Sequence, residues 1–476
     1  MPARLTLIYL NRRLRLPEGT RYPIVLSAHT IESLKVYAES LKSYISRENP
    51  DLASLAYTLS ERRKRHSIAW ITTVSEIAGL QREISTIIRP CNITPSSKRV
   101  VLAFSGQSKQ IVGLSETLYN SIPRLRHYIE ECERILLTIG CPSIIPAIFQ
   151  SSIITDPVLL QTGTMAVQYA SAKCWMDAGI RPACIIGHSF GELSALAVSG
   201  VLSIKDALKL VATRAQLMAT KWGPERGIML AIFAPIAVVT RIVEAVDSNN
   251  LEIACFNAPN SQVVVGTQAA VADTEKLLAT DPSFKGIKSQ RVDVTHGFHS
   301  AFTEPIRSDL AQSLEALTFK QAFIPIEPCT QAHTSSITAE HVVSHVRQPV
   351  YFVDAVQRIE KRLGGCIWLE AGFDSSIIPM VKRASAKSEI HSFYSIKTAS
   401  AVHSTEVLSQ STAELWKEGI DITPWAFLSP SDAGVEPIWL PPYQFQRSKA
   451  WLGELQLCKS FVKFLLTWYL HRYREH

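Results

Sequence analysis

The chain has 476 residues, 46% hydrophobic and 19% charged, a globular composition with more apolar residues than a single ordinary core holds. A disordered chain is therefore excluded and two or three units are expected. The net charge of +7 suits phosphorylated or acidic partners but is too small an excess for a nucleic-acid binder, so no nucleic acid is expected.

Residues 1–22 look like an extension: Leu5 to Leu10 is too short for the apolar part of a secretory signal, and most of its basic residues follow it. Residues 23–90 read as a small α/β unit. Tyr22 to Ser27 is strand-like, and Thr30 to Ser46 repeats apolar residues at helical spacing with Thr30 as N-cap. Asp51 to Leu59 continues as helix, and Ser67 to Val74 runs apolar like a strand. Between them Arg62-Arg63-Lys64-Arg65-His66 is the one basic run, expected as a solvated helix end or turn. A polar, proline-containing linker, Arg89 to Ser97, marks a boundary.

A buried strand opens at Arg99 to Phe104 and ends in Ser105-Gly106-Gln107. Helical patterns follow to about residue 180. The apolar run Ala183 to Ile186 then leads into Gly187-His188-Ser189-Phe190-Gly191-Glu192 and the helix-like Leu193 to Val198. Glycines two before and two after Ser189 permit a tight strand-to-helix turn, which exposes the serine and aims free helix N–H groups at a developing oxyanion. G-x-S-x-G also arises by chance, but less often between a strand and a helix.

A helix containing Ala207 to Thr220 follows. Residues 228–294 change to short strands (Met229 to Phe233, Ile253 to Cys255, Gln262 to Gly266) separated by helical stretches, an inserted subdomain. The larger α/β pattern resumes at Pro349 to Arg362 and the strand Cys366 to Glu370. Phe461 to Leu470 spans about half a membrane helix and contains Lys463, so a packed or amphipathic helix is expected there and no membrane span. Nine scattered cysteines without a C-x-x-C pair argue against a zinc site and a disulfide framework, and a cytoplasmic protein is expected.

A serine hydroxyl needs a base, normally a histidine. His188 adjoins Ser189, but a neighbour on a sharp turn points its side chain away. His299, in Thr295-His296-Gly297-Phe298-His299-Ser300, lies where a strand end runs into a loop, from which a side chain reaches another strand's tip; His296 is its rival. His341 and His345 have metal-ligand spacing on a helix, but without a third ligand an exposed helix face is expected and no metal.

Gly187 to Glu192, Ser105-Gly106-Gln107, Arg214 within Ala212 to Met218, and Gly297 to Ser300 stand in the order of the malonyl-CoA:acyl-carrier-protein acyltransferases. The chain resembles that family, and within it the acyltransferase region of fungal iterative, non-reducing polyketide synthases. Gly113-Leu114-Ser115, Tyr119-Asn120-Ser121, Ile148-Phe149-Gln150 and Leu159 to Thr162 are similar to that subgroup. The resemblance covers about residues 23–452. It implies an α/β fold: a hydrolase-like parallel-sheet core over residues 98–398 with an inserted ferredoxin-like α+β subdomain at about 228–294. It further implies a ketosynthase–acyltransferase linker-like α/β domain at 23–90, a post-acyltransferase linker at 399–452 ending in Leu440 to Leu452, and an atypical tail at 453–476.

The same resemblance implies roles. Ser189 would be the acylated nucleophile and His299 its base, then acid. The main-chain N–H groups of Phe190 and Gln107 would form the oxyanion hole, and Arg214 would grip the malonyl carboxylate bidentately. Backbone carbonyls would orient the histidine, one from the region of Gln348. Asn257 and Gln262 would line the pocket or serve as turn residues. Phe298 sits where methylmalonyl-selective relatives carry a smaller residue, and Phe190 replaces their glutamine, so malonyl is favoured.

No bound cofactor is expected. Malonyl-CoA would be the substrate and the phosphopantetheine of an acyl carrier protein the acceptor, with ketosynthase or other synthase domains as further partners. A whole synthase would carry a ketosynthase before residue 1 and further domains after residue 452, so a trans-acting enzyme, a piece of a synthase or a broken reading frame is expected. A serine hydrolase or thioesterase is the alternative enzyme; it predicts an acidic residue orienting the base and no need for Arg214. A non-catalytic docking fragment is the third reading.

Overall fold

A computed structural model describes residues 19–445, except 87–89, 247–249, 335, 399–403 and 430–433. The expected extension up to residue 18, the end of the post-acyltransferase linker and the tail at 453–476 lie outside the described residues.

The first sheet joins β1 (Tyr22–Ala28), β2 (Ile68–Val74) and β3 (Cys91–Asn92), all antiparallel. Thr30 caps the helix Ile31–Glu48 by accepting from the Ser33 N–H, and Asp51 caps Leu52–Glu61 through Ser54. The Arg89–Ser97 stretch is not only linker: Cys91–Asn92 pairs with Ile68 and Ala69. Two residues are too few to show any alternation in sequence.

The core sheet begins with β4 (Arg99–Phe104) and β5 (Cys184–Gly187). Between β5 and its later strands the chain forms a second, antiparallel sheet of β6 (Ile228–Phe233), β7 (Leu251–Ala258), β8 (Ser261–Gly266) and β9 (Lys288–Arg291), in the order β7-β8-β6-β9. With helices Ile236–Val246 and Gln268–Thr280 as the crossovers, this β-α-β-β-α-β arrangement is ferredoxin-like. The chain then returns to the core with β10 (Ile326–Glu327), β11 (Cys366–Glu370) and β12 (Ser392–Tyr394). The five core strands lie β10-β5-β4-β11-β12, all parallel. Strands buried on both faces need continuous apolar runs, which is what β5 and β11 supply. The helix Pro157–Asp177, capped by Asp156, is buried on most of its faces and packs against the helices Pro123–Thr138, Phe190–Val198 and Ile204–Lys221.

The basic run differs from expectation. Arg62 and Lys64 are exposed, but Arg63 donates to the carbonyls of Leu440 (3.1 Å) and Pro441 (2.7 Å) and lies over the Tyr443 ring. Arg65 bonds Asp421 (2.7 Å) and the Ile422 carbonyl (3.1 Å) and lies over Trp416. Partners more than 350 residues away turn a solvated-looking run into a clasp between the first sheet's unit and the returning chain.

Candidate active site

The tip of β5 turns sharply at Ser189, whose φ of 49° and ψ of −118° are rare for a non-glycine residue, and enters the helix Phe190–Val198. A Cβ on Gly187 would lie 2.2 Å from the Glu192 nitrogen, and one on Gly191 2.4 Å from the Phe104 carbonyl oxygen. Both glycines are therefore required by close backbone approach. Strain of this kind is typically about 1–3 kcal/mol per residue and is sustained only by a packed surrounding.

His299 is also at positive φ, 60°, and is buried. Its Nε2 lies 2.7 Å from Ser189 Oγ. Its Nδ1 lies 3.0 Å from the carbonyl oxygens of both His345 and Gln348, and its backbone N–H donates to Val346 (3.2 Å). Carbonyls only accept, so the proton sits on Nδ1 and Nε2 is free to accept from the serine. Burial, aided by the neighbouring His345 and His188, which oppose a further proton in the cluster, and by the Arg214 charge, holds the His299 pKa well below the usual histidine range. The ring is therefore neutral at pH 7.

A cleft of about 210 Å³ opens onto this pair, lined among others by Gln107, Asn257, Phe298 and Arg383. The backbone amides of Phe190 and Gln107 find no acceptor among the described residues. Asn257 Oδ1 lies 2.8 Å from His188 Nε2, so His188 turns away from the serine as the sharp turn requires. Gln262 is buried in the β7–β8 hairpin, where it donates to the Ala258 carbonyl (2.9 Å). His296 packs edge-on against Trp222, 4.7 Å between rings, not against Ser189.

Arg214 lies a layer behind the cleft on the helix Ile204–Lys221. Its guanidinium sits 5.0 Å from the Phe298 ring centre, and Nη1 donates to Gln161 Oε1 (2.7 Å). No carboxylate pairs with it among the described residues. Burial lowers its pKa to about 10, so it remains charged. Gln161, within the subgroup-like stretch Leu159 to Thr162, is given no role by the sequence; it also reaches Gln107 Oε1 (3.3 Å) and so links Arg214 to the loop after β4.

The expectation of an exposed face for His341 and His345 is overturned. On the helix Ala339–Arg347, His341 Nε2 lies 2.5 Å from the buried Glu192 Oε1, and the His341 side chain is 10% exposed. His345 is enclosed beside His299, 5.4 Å between rings. The i, i+4 stripe faces inward because Glu192, 149 residues away, supplies its partner. Among the described residues no group of three or more His, Cys, Asp or Glu could hold a metal ion, and no helix is long and apolar enough to cross a membrane.

The acyl transferase domain model matches residues 101–411, which include every one of these side chains. The chain belongs to the acyl transferase domain family. A linker-domain model, RhiE-like and placed between ketosynthase and malonyl-acyltransferase, matches residues 25–88 of this acyltransferase. Similar relatives are fungal non-reducing polyketide synthases, one of Stereocaulon alpinum (47% identical over 90% of the chain) and one of Stachybotrys bisbyi (44% over 93%). The chain spans only 17% and 20% of those two proteins. Among solved structures, the acyl transferase domain of ZmaA matches over 90% of this chain and 100% of its own, with a TM-score of 0.76 at 22% identity. The malonyl CoA-acyl carrier protein transacylase of Coxiella burnetii matches over 69% of this chain and 100% of its own, with a TM-score of 0.58 at 20% identity. At such identity these two bear on the fold.

Proposed function

We propose that this acyltransferase moves a malonyl group from malonyl-CoA, through an acyl-enzyme at Ser189, to the phosphopantetheine thiol of an acyl carrier protein in polyketide assembly. The observation that carries the malonyl assignment is Arg214, a buried cation with no carboxylate partner among the described residues, near enough to His299 for its charge to act there. An isolated buried charge is unfavourable unless a ligand completes it, and a guanidinium fits the free carboxylate of a malonyl group bidentately.

Ser189 Oγ attacks the thioester carbonyl while its proton passes to His299 Nε2. The carbonyl oxygen becomes an oxyanion facing the N–H groups of Phe190 and Gln107, donors fixed before the charge develops and worth typically about 2.7–4 kcal/mol each. The C–S bond then breaks and CoA leaves as its thiol, taking the proton from His299. The carrier thiol repeats the sequence in reverse. As His299 turns cationic, the carbonyls of His345 and Gln348 at Nδ1 stabilise it, which is the part an acidic residue plays in a Ser-His-Asp hydrolase. Phe298, packed on Arg214, leaves an α-methyl little room, a discrimination of roughly 1–3 kcal/mol.

The test uses protein preloaded with malonyl and freed of CoA, then mixed with a phosphopantetheinylated carrier protein. Malonyl appearing on the carrier is expected. Release of free malonate at the same rate with and without carrier would replace this reading with a hydrolase.

A further inference from the structure

We propose that Glu192 and His341 are positioning residues: their buried contact fixes the helix that presents the nucleophile to the helix whose last turn holds the base. The proposal rests on the reading of Ser189 and His299 as the reacting pair.

Glu192 lies in the first turn of the helix that Ser189 opens. Its carboxylate has no exposed edge: Oε1 meets His341 Nε2 and Oε2 accepts from the Cys329 N–H (3.2 Å). His341 occupies the first turn of the helix Ala339–Arg347, where its own N–H donates to the Thr338 cap (3.3 Å). One turn on, His345 stacks near His341, and the end of the same helix supplies the carbonyls of His345, Val346 and Gln348 that hold His299.

The two helices carry the two halves of the reaction, yet the base is held to the second helix by three hydrogen bonds and to the nucleophile by one. What keeps that single 2.7 Å contact in place is the fixed relation of the helices. Glu192 and His341, 149 residues apart in sequence, make a buried polar link between them. Despite its burial the Glu192 carboxyl is held below its ordinary pKa, by the neighbouring His345 and His341 and by the hydrogen bonds it accepts. A carboxylate kept ionised in the interior makes a short, directional bond, which fixes geometry better than apolar packing does.

The experiment measures malonyl-CoA acylation by rapid quench, as a rate constant per burst-titrated active site, in the full chain and in H341L, H341Q and H341N. Leucine fills the space without a donor, glutamine offers an N–H at similar reach, and asparagine has the same amide on a shorter arm. Misplacement by about 1 Å can reduce a reaction about 10²-fold. H341L and H341N should therefore acylate about 10- to 100-fold more slowly with KM changed less than about twofold, and H341Q should recover most of the rate. Equal rates in H341N and H341Q, or wild-type rates in H341L, would overturn the proposal; the first comparison stands even if H341L does not fold. Wild-type protein that forms no Ser189-dependent acyl-enzyme would overturn the underlying reading and the proposal with it.

Discussion

The cleft at the tip of β5 and the small antiparallel unit at Tyr22–Asn92 are built from the same residue types under different constraints. In the small unit, helices carry side-chain caps, at Thr30 as expected and at Asp51, strands pair in unbroken register and half-buried arginines end on carbonyls, rings and carboxylates. At the cleft and just behind it, Ser189 and His299 sit at positive φ, the Arg214 guanidinium is buried with no acid beside it among the described residues, and burial keeps several histidines uncharged. Of the four non-glycine residues at positive φ among the described residues, Asn49 ends a helix, where that conformation is favoured, and Asp374 lies in a loop, whereas Ser189 and His299 meet at the cleft together with the buried Arg214, a clustering that has a chemical reason.

That contrast can be broken most sharply at the base. His299→Ala should slow acylation about 10²–10⁴-fold, the usual share of a positioned general base, with little change in the unfolding midpoint. A residual rate within tenfold of wild type would show that the proton goes elsewhere. Arg214→Ala should lower the preference for malonyl- over acetyl-CoA about 10- to 100-fold, as expected for losing charge-assisted hydrogen bonds of about 1.5–3 kcal/mol. An unchanged ratio in competition assays would remove the clamp.

Acid separates the regions differently. The His188 and His296 pKa values fall to about 4 and those of His299 and His345 are lowered, all chiefly by burial. Below pH 6.5 the unfolded chain binds protons that the folded one refuses, so stability falls as pH falls. His188 alone, partly buried at the cleft wall, would contribute a loss of up to about 3 kcal/mol by pH 4. The thermal midpoint should decline steadily from pH 6.5 to 4, and a flat profile would contradict neutral buried histidines. The smallest effect is expected in the other region. Arg63→Ala should cost about 1 kcal/mol and speed proteolysis within residues 437–445, with acylation unchanged. Slowed acylation would mean that the clasp reaches the cleft.

Much of this was legible in sequence because its causes are local. The cap at Thr30 and the apolar run into Gly187 are decided by neighbouring residues, Ser189 stands out by its flanking glycines, and His299 is separated from its rival His296 by the family resemblance. What escaped depends on distant partners. Strand β9, Lys288–Arg291, has no buried residue and is a strand only because β6 pairs with it. The inward turn of His341 waits on Glu192, and the clasp of Arg63 on the carbonyls of Leu440 and Pro441. Gln161 lies on a helix buried on most faces, where nothing in spacing distinguishes a residue that reaches an arginine from one that fills space.

The central claim is that Ser189 is acylated by malonyl-CoA. Intact-protein mass spectrometry after brief mixing with malonyl-CoA, beside Ser189→Ala and beside acetyl-CoA, tests it directly. The account predicts a malonyl-sized adduct on the wild-type chain, none on Ser189→Ala and little with acetyl-CoA. No adduct, or one that persists in Ser189→Ala, would contradict it.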